Sequence, residues 1–193
     1  MAAISAKWLL TFTALFIALA FLSQTTEPVM LFAILMVSIL LSFPLYKWVK
    51  KKFVRPIVVW DIHGVFITGD IELEDLHEIK GTKNLIARVR NNHYTIAFTN
   101  FNQELFAFYS KKWGWFDMYD ELYNSGSLKA RKPTAEAFER FGKRAGISKK
   151  DIVFIDDRGE NVDAARKLGI KSVQFKNPEQ CEKALNDLGV KTR

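Results

Sequence analysis

The stretch IVVWDIHGVFITGD, Ile57–Asp70, decides the fold. Its first half, with the preceding Pro56, is a short continuous apolar run bounded by polar residues, the pattern of a strand buried on both faces of a parallel sheet. The run ends on a carboxylate, Asp61, and two positions further on stands His63. The continuation ITGDIELED alternates around Gly69 and Asp70, which reads as a small β-hairpin turning at those two residues.

Further along, the same grammar repeats. KNLIARVRNN has Leu85, Ile86 and Val89 at helical spacing, and YTIAFTN is a second buried strand ending on Thr99. QELFAFYSKKWG is helical with Gly114 as its stop, and a helix follows Pro133 in TAEAFERFGKRAGI. DIVFIDD, ENVDAARKLGI, KSVQF and PEQCEKALNDLGV read as strand, helix, strand and helix. Strands alternating with helices predict an α/β domain, a Rossmann-like doubly wound parallel sheet, over residues 56–193.

Ligands of such sheets bind beyond the carboxyl ends of the strands. The residues there are Asp61, Thr99 with Asn100, and Asp156 with Asp157, and the loop ARKP (Ala130–Pro133) brings Lys132 to a helix start nearby. Clustered carboxylates suit Mg²⁺, which takes oxygen ligands and is commonly shared with a substrate phosphate. A lysine can stabilise a phosphoryl group and an aspartate can attack one. An acid at a strand end can also simply cap the next helix, so each residue taken singly leaves the question open.

Together the segments VVWDIHGVF, IAFTN, LKARKPTAEAFERF and IVFIDDRGENVDAARKLGI resemble the four ordered motifs of the haloacid dehalogenase-like hydrolase superfamily, and the last two its phosphatase-rich subgroup. The resemblance implies a Mg²⁺-dependent phosphatase, with Asp61 as nucleophile and metal ligand and the His63 carbonyl as a second ligand. It further implies Thr99 and Asn100 as phosphoryl-binding residues, Lys132 as the neutralising cation, and Asp156 and Asp157 as the metal acids. Asn161, one helical turn on, would brace their loop.

His63 departs from the family's phosphatases, which carry an aspartate there to protonate the leaving group and then activate water. An imidazole can do both, having an unperturbed pKa of ~6.5. The departure also fits a second reading, a catalytically weak or inactive domain serving as a membrane-tethered binding or scaffold module. Neither the span from Asp61 to Thr99 nor that from Asn100 to Lys132 has room for a separate cap domain. Family members without a cap have open sites and often take large substrates, which makes a phosphorylated lipid, a lipid-linked metabolite or a membrane-associated phosphoprotein the expected partner.

Residues 1–46 contain only two charged side chains, Lys7 and Glu27. Two apolar runs, beginning at Trp8 and Val29 and joined by the polar QTTEP, are long enough to cross a hydrocarbon core of ~30 Å. They predict two transmembrane helices within residues 6–48, with Trp8, Tyr46 and Trp48 as interfacial anchors, and so a membrane segment over residues 1–55. The first run alternatively reads as a cleaved signal peptide ending near Ala18–Ala20. In either case Lys47, Lys50, Lys51, Lys52 and Arg55 hold that end, and the hydrolase domain after it, on the cytoplasmic side.

Those five cations also account for most of the formal charge of +7, leaving no basic stripe on the folded domain and arguing against nucleic acid as a partner. The single cysteine, Cys181, excludes an internal disulfide and is expected on a surface helix. Trp113, Trp115 and Phe116 are expected to pack a helix against the sheet, and His77 and His93 carry no predicted role.

Overall fold

A computed structural model describes residues 44–51, 54–70 and 75–193. Contacts within the chain divide it into two units, Met1–Lys52 and Phe53–Arg193. Of the first unit only residues 44–51 are described, and they are helical, with Leu45 and Trp48 more than half exposed. Among the described residues no helix is long and apolar enough to cross a membrane. The two predicted spans fall on residues 1–43 for nearly all their length, outside the described residues.

The second unit is built on five strands: β1 (Ile57–Trp60), β4 (Thr95–Thr99), β5 (Glu121–Asn124), β6 (Ile152–Asp156) and β7 (Lys171–Gln174). They form one parallel sheet in the order β5-β4-β1-β6-β7. Side chains alternate across it, as a period of two requires. Val58 and Trp60 pack with α1 (Thr82–Asn92), α2 (Gln103–Trp113) and α7 (Pro178–Asp187) on one face. Ile57 and Val59 pack with α5 (Ala135–Ala145) and α6 (Gly159–Lys167) on the other. Both faces are therefore covered, and β1, β4 and β6 are buried at every residue.

Helix ends follow local chemistry. The side chains of Asn102, Thr134 and Asn177 accept from backbone N–H groups in the first turns of α2, α5 and α7, and Gly114 and Gly146 close α2 and α5 in left-handed conformation.

Between β1 and α1 lies an antiparallel hairpin, β2 (Ile67–Asp70) with β3 (Asp75–Glu78). The expected turn at Gly69 and Asp70 is displaced: both residues pair within the ladder, Gly69 with Leu76 and Asp70 with Asp75, and the connection falls on residues 71–74, outside the described residues. Gly69 has φ 118°, and a Cβ there would meet the Asp75 carbonyl, so glycine permits close strand approach rather than chain reversal.

β5 and the short helices α3 (Trp115–Met118) and α4 (Ser125–Leu128) are additions to the expected pattern. Trp115 is fully buried and Trp113 packs against the same core, as expected. Cys181 lies on α7, a helix with Glu179 and Lys183 exposed, but on its buried side, where desolvation pushes its thiol up to about 12.

Among the described residues, the span between β1 and Thr99 holds this hairpin, α1 and β4, and the span between Asn100 and Lys132 holds α2, α3, β5 and α4. There is no cap domain among the described residues.

Candidate active site

The connection leaving β1 runs through α1 on one face of the sheet, whereas that leaving β6 runs through α6 on the other. Neighbouring strands with opposed exits leave a crevice at their carboxyl ends. Asp61 follows β1 and Asp156 ends β6, so both acids open onto that crevice, and the Asp61 N–H donates to the Ile155 carbonyl at 2.8 Å.

Oxygens of Asp61, Asp156 and Asp157 converge within 4.8 Å of one another. One cation stands among them. Lys132, its side chain fully buried, donates from Nζ to Asp156 Oδ2 at 2.7 Å and to the Phe98 carbonyl at 2.8 Å. Its Nζ also lies 3.0 Å from Asp61 Oδ1, an ion pair without hydrogen-bond alignment, and sits 5.1 Å from the Phe98 ring and 5.2 Å from the Phe154 ring.

The three acids are not equivalent. Asp156 is saturated: besides Lys132, the Asn161 amide donates to both its oxygens at 2.9 and 3.0 Å, and the Arg158 N–H donates to Oδ1 at 3.0 Å. Asp61 Oδ1 and Asp157 Oδ1, by contrast, are buried without a hydrogen bond. Burial raises the Asp61 carboxyl to about 7 against the pull of Lys132, with Asp156 adding to the rise. Burial, then the Asp156 charge, raises Asp157 as well. Asp61 Oδ1 has only its ion pair with Lys132, and Asp157 Oδ1 has no hydrogen bond; buried carboxylate oxygens so poorly satisfied are costly. A hard divalent cation that takes oxygen ligands fits this donor set, and Mg²⁺ is such an ion.

Gly64 makes room for Asp157. It has φ 84°, and a Cβ on it would lie 2.2 Å from the Asp157 carboxyl carbon. Its neighbour His63 is half-buried, its ring 6.3 Å from that of Phe101 in an edge contact, and its Nε2 is 3.0 Å from the Gly69 carbonyl of the hairpin. A carbonyl only accepts, so Nε2 carries a proton.

Thr99 is buried at the end of β4, where its Oγ1 accepts a long bond from the Phe101 N–H at 3.4 Å. Asn100 turns its amide to the Lys132 backbone, donating to the carbonyl and accepting from the N–H, each at 2.9 Å. The structure thus brings Asp61, Asp156, Asp157 and Lys132 together, with the His63 ring on the hairpin and the Asn100 amide clamped on the Lys132 backbone, and it adds Gly64 beside Asp157. The clamp has no sequence signature, but a glycine three residues after the acid was visible.

The model of the haloacid dehalogenase-like hydrolase family matches residues 45–169, more than half of the chain. Among curated relatives, flavin mononucleotide hydrolase 1 of Arabidopsis thaliana is 29% identical over 145 residues, 65% of this chain and 55% of that one. Drimenol cyclase of Aspergillus calidoustus is 32% identical over 71 residues, 37% of this chain and 13% of that one. This chain thus spans about half of the first and far less of the second.

Among solved structures, an uncharacterized protein of Corynebacterium glutamicum superposes with TM-score 0.56 at 22% identity, covering 72% of this chain and 98% of that one. A haloacid dehalogenase family enzyme of Bacteroides thetaiotaomicron, in complex with magnesium and inorganic phosphate, does so with TM-score 0.56 at 18% identity, covering 64% and 95%. With the family model, the five-stranded parallel sheet and the acid-lysine crevice in agreement, this chain belongs to the haloacid dehalogenase-like hydrolases.

Proposed function

We propose that the chain is a membrane-anchored, Mg²⁺-dependent phosphatase, with residues 1–55 as anchor and 56–193 as catalytic domain, that hydrolyses a phosphomonoester through an aspartyl-phosphate on Asp61. The observation that carries this reading is the convergence of Asp61, Asp156 and Asp157 oxygens within 4.8 Å, with Asp156 saturated, Asp61 Oδ1 held only by its ion pair with Lys132, and Asp157 Oδ1 buried without a hydrogen bond. Asp61, Asp157 and the His63 carbonyl would hold the ion, and Asp156 would act through Lys132 and Asn161. Mg²⁺ bound there would offset the mutual repulsion of the carboxylates and draw charge from the phosphoryl oxygens.

In the first step an Asp61 oxygen bonds to phosphorus and the bond to the leaving oxygen breaks. Asp61 must be ionised to attack, and Lys132 favours that form against its burial. Thr99 hydrogen-bonds the phosphoryl oxygens, while Lys132 neutralises them. The leaving oxygen takes the Nδ1 proton of a His63 imidazolium, whose Nε2–H stays on Gly69. The neutral ring then accepts a proton at Nδ1 from the water that attacks phosphorus and releases Asp61, so each cycle restores the imidazolium. Help of this kind is worth ~10²–10⁴-fold.

A flavin mononucleotide hydrolase among the relatives, and bound magnesium and phosphate in a structural neighbour, support phosphomonoester chemistry. The absence of a cap domain among the described residues favours a large substrate: a phosphorylated lipid, a lipid-linked metabolite or a membrane-associated phosphoprotein. The second reading, a binding or scaffold module with little or no turnover, draws on His63, whose ring is tied to the hairpin.

Phosphate release by the full-length chain with Mg²⁺, on phosphomonoesters that include lipid phosphates and phosphopeptides, tests both, alongside Asp61→Asn and His63→Asp. Activity lost in Asp61→Asn supports the phosphatase. A silent parent that His63→Asp awakens favours the second reading, and fast selective turnover of a small soluble sugar phosphate removes the large-substrate proposal.

A further inference from the structure

We infer that Asn100 is a positioning residue for Lys132, and that its side chain sets the lysine rather than touching the substrate. The inference rests on the catalytic role of Lys132 proposed above. Both hydrogen-bonding ends of the Asn100 amide are committed to the backbone of one residue: Nδ2 donates to the Lys132 carbonyl and Oδ1 accepts from the Lys132 N–H, each at 2.9 Å. The side chain thus pairs with the backbone of a residue 32 positions away as an adjacent strand would.

The clamp is itself fixed from below. Ser125 Oγ lies 2.9 Å from the carbonyl oxygens of both Asn100 and Phe101, tying the loop after β4 to the start of α4. Thr99, Asn100 and Lys132 are therefore held as one unit, so the phosphoryl-binding end of β4 and the cation keep their spacing. Three contacts fix the far end of the lysine: Asp61 Oδ1 at 3.0 Å, Asp156 Oδ2 at 2.7 Å and the Phe98 carbonyl at 2.8 Å. Neither end alone determines the geometry. A side chain with four rotatable bonds holds two hydrogen bonds and an ion pair at once only if its backbone is anchored, and a displacement of ~1 Å at a reacting group can cost ~10²-fold in rate.

The full-length chain and its Asn100→Ala variant are to be compared by reductive methylation of lysines read out by mass spectrometry, a measurement independent of turnover. In the parent, Lys132 is expected to resist labelling, its ammonium being buried and paired. Asn100→Ala should raise its labelling rate ~10-fold, the order that loss of the two clamp hydrogen bonds implies, while leaving surface lysines unchanged. Unchanged labelling at Lys132 overturns the inference. If Asn100→Ala does not fold, Asn100→Asp carries the same test: it keeps the shape and the acceptor and turns an oxygen toward the Lys132 carbonyl.

On the best phosphomonoester found, Asn100→Ala should lower kcat by ~10²-fold with little change in KM. In a Lys132→Met background it should then add almost nothing. A rise in KM with kcat intact, or an undiminished effect in that background, makes Asn100 a direct substrate ligand and overturns the positioning role. If the parent releases no phosphate from any monoester, the function proposed above fails, while the labelling result still decides the clamp.

Discussion

The two ends of the sheet bury polar groups in opposite ways. At the amino end, Asp120 takes the Thr95 N–H at 2.9 Å, the Thr95 hydroxyl at 3.3 Å and Arg90 Nε at 3.2 Å. Beside it, buried His93 is used at both nitrogens, Nδ1 to the Pro56 carbonyl at 2.9 Å and Nε2 accepting from the Lys191 N–H at 2.8 Å. At the carboxyl end, three acids converge, Lys132 pairs with two of them, and Asp157 Oδ1 has no hydrogen bond. The amino end is complete as a structure, whereas the carboxyl end gathers three acids in a donor set that suits a divalent cation. That difference separates residues that hold the fold from residues that do chemistry better than burial or charge does alone.

The largest effect belongs to the nucleophile. Asp61→Asn should lower phosphate release by ~10⁴-fold or more, since no other carboxylate stands in its place. The same substitution should stabilise the metal-free protein, and by more as pH rises. The folded Asp61 carboxyl keeps its proton up to about 7, against an ordinary value of 3.8. The stability tied to that proton is fully present below 3.8 and lost as pH climbs to about 7. Chemical denaturation of parent and variant should therefore diverge across that window by a few kcal/mol, on the order that ~1.4 kcal/mol per unit implies, and saturating Mg²⁺ should narrow the gap. Parallel pH curves would break the contrast between the two ends.

Lys132→Met ranks next. Removing the single cation leaves Asp61 and Asp156 facing each other without it, which should cost ~3–5 kcal/mol near neutral pH in the metal-free protein. The loss should shrink at low pH, where Asp61 takes up a proton, and in the presence of Mg²⁺. The matching change at the amino end is His93→Phe, which leaves the Pro56 carbonyl and the Lys191 N–H without their ring partners. It should cost ~2–4 kcal/mol, with no dependence on Mg²⁺ and no change in kcat measured below the unfolding temperature. A Mg²⁺-sensitive loss in His93→Phe would blur the comparison.

How far the sequence foretold these two ends follows from range. β1, β4 and β6 are continuous apolar runs ending on polar residues, so the strands and the acids at their carboxyl ends were legible together. β5 was not: its four residues, ELYN, are mostly half-exposed and follow an aromatic-rich segment whose pattern reads as helix packing. The hairpin turn was misplaced because a glycine admits both chain reversal and close strand approach, and at Gly69 the second holds. Cys181 was expected on a surface helix, and it is, but which side of that helix faces the core was not read from the sequence. The partners of His93 and Asn100 lie 37, 98 and 32 residues away, and no local pattern encodes such pairings.

The smallest expected effect tests the carboxyl end through its backbone. Gly64 has φ 84°, so Gly64→Ala pays ~1–2 kcal/mol of left-handed strain, a modest loss by itself. The larger consequence is local: the new Cβ would fall 2.2 Å from the Asp157 carboxyl carbon, and Asp157 must swing away. If Asp157 is one of the oxygens that await the cation, Mg²⁺ affinity measured by calorimetry should fall by ~10–100-fold while the metal-free protein loses only the strain. If Asp157 were instead a spectator, the variant would bind Mg²⁺ as the parent does, and the oxygen left without a partner on Asp157 would be an ordinary packing cost. Because the two outcomes differ in metal affinity and not in folding, this substitution separates the demand of the site from the demand of the fold at a single atom.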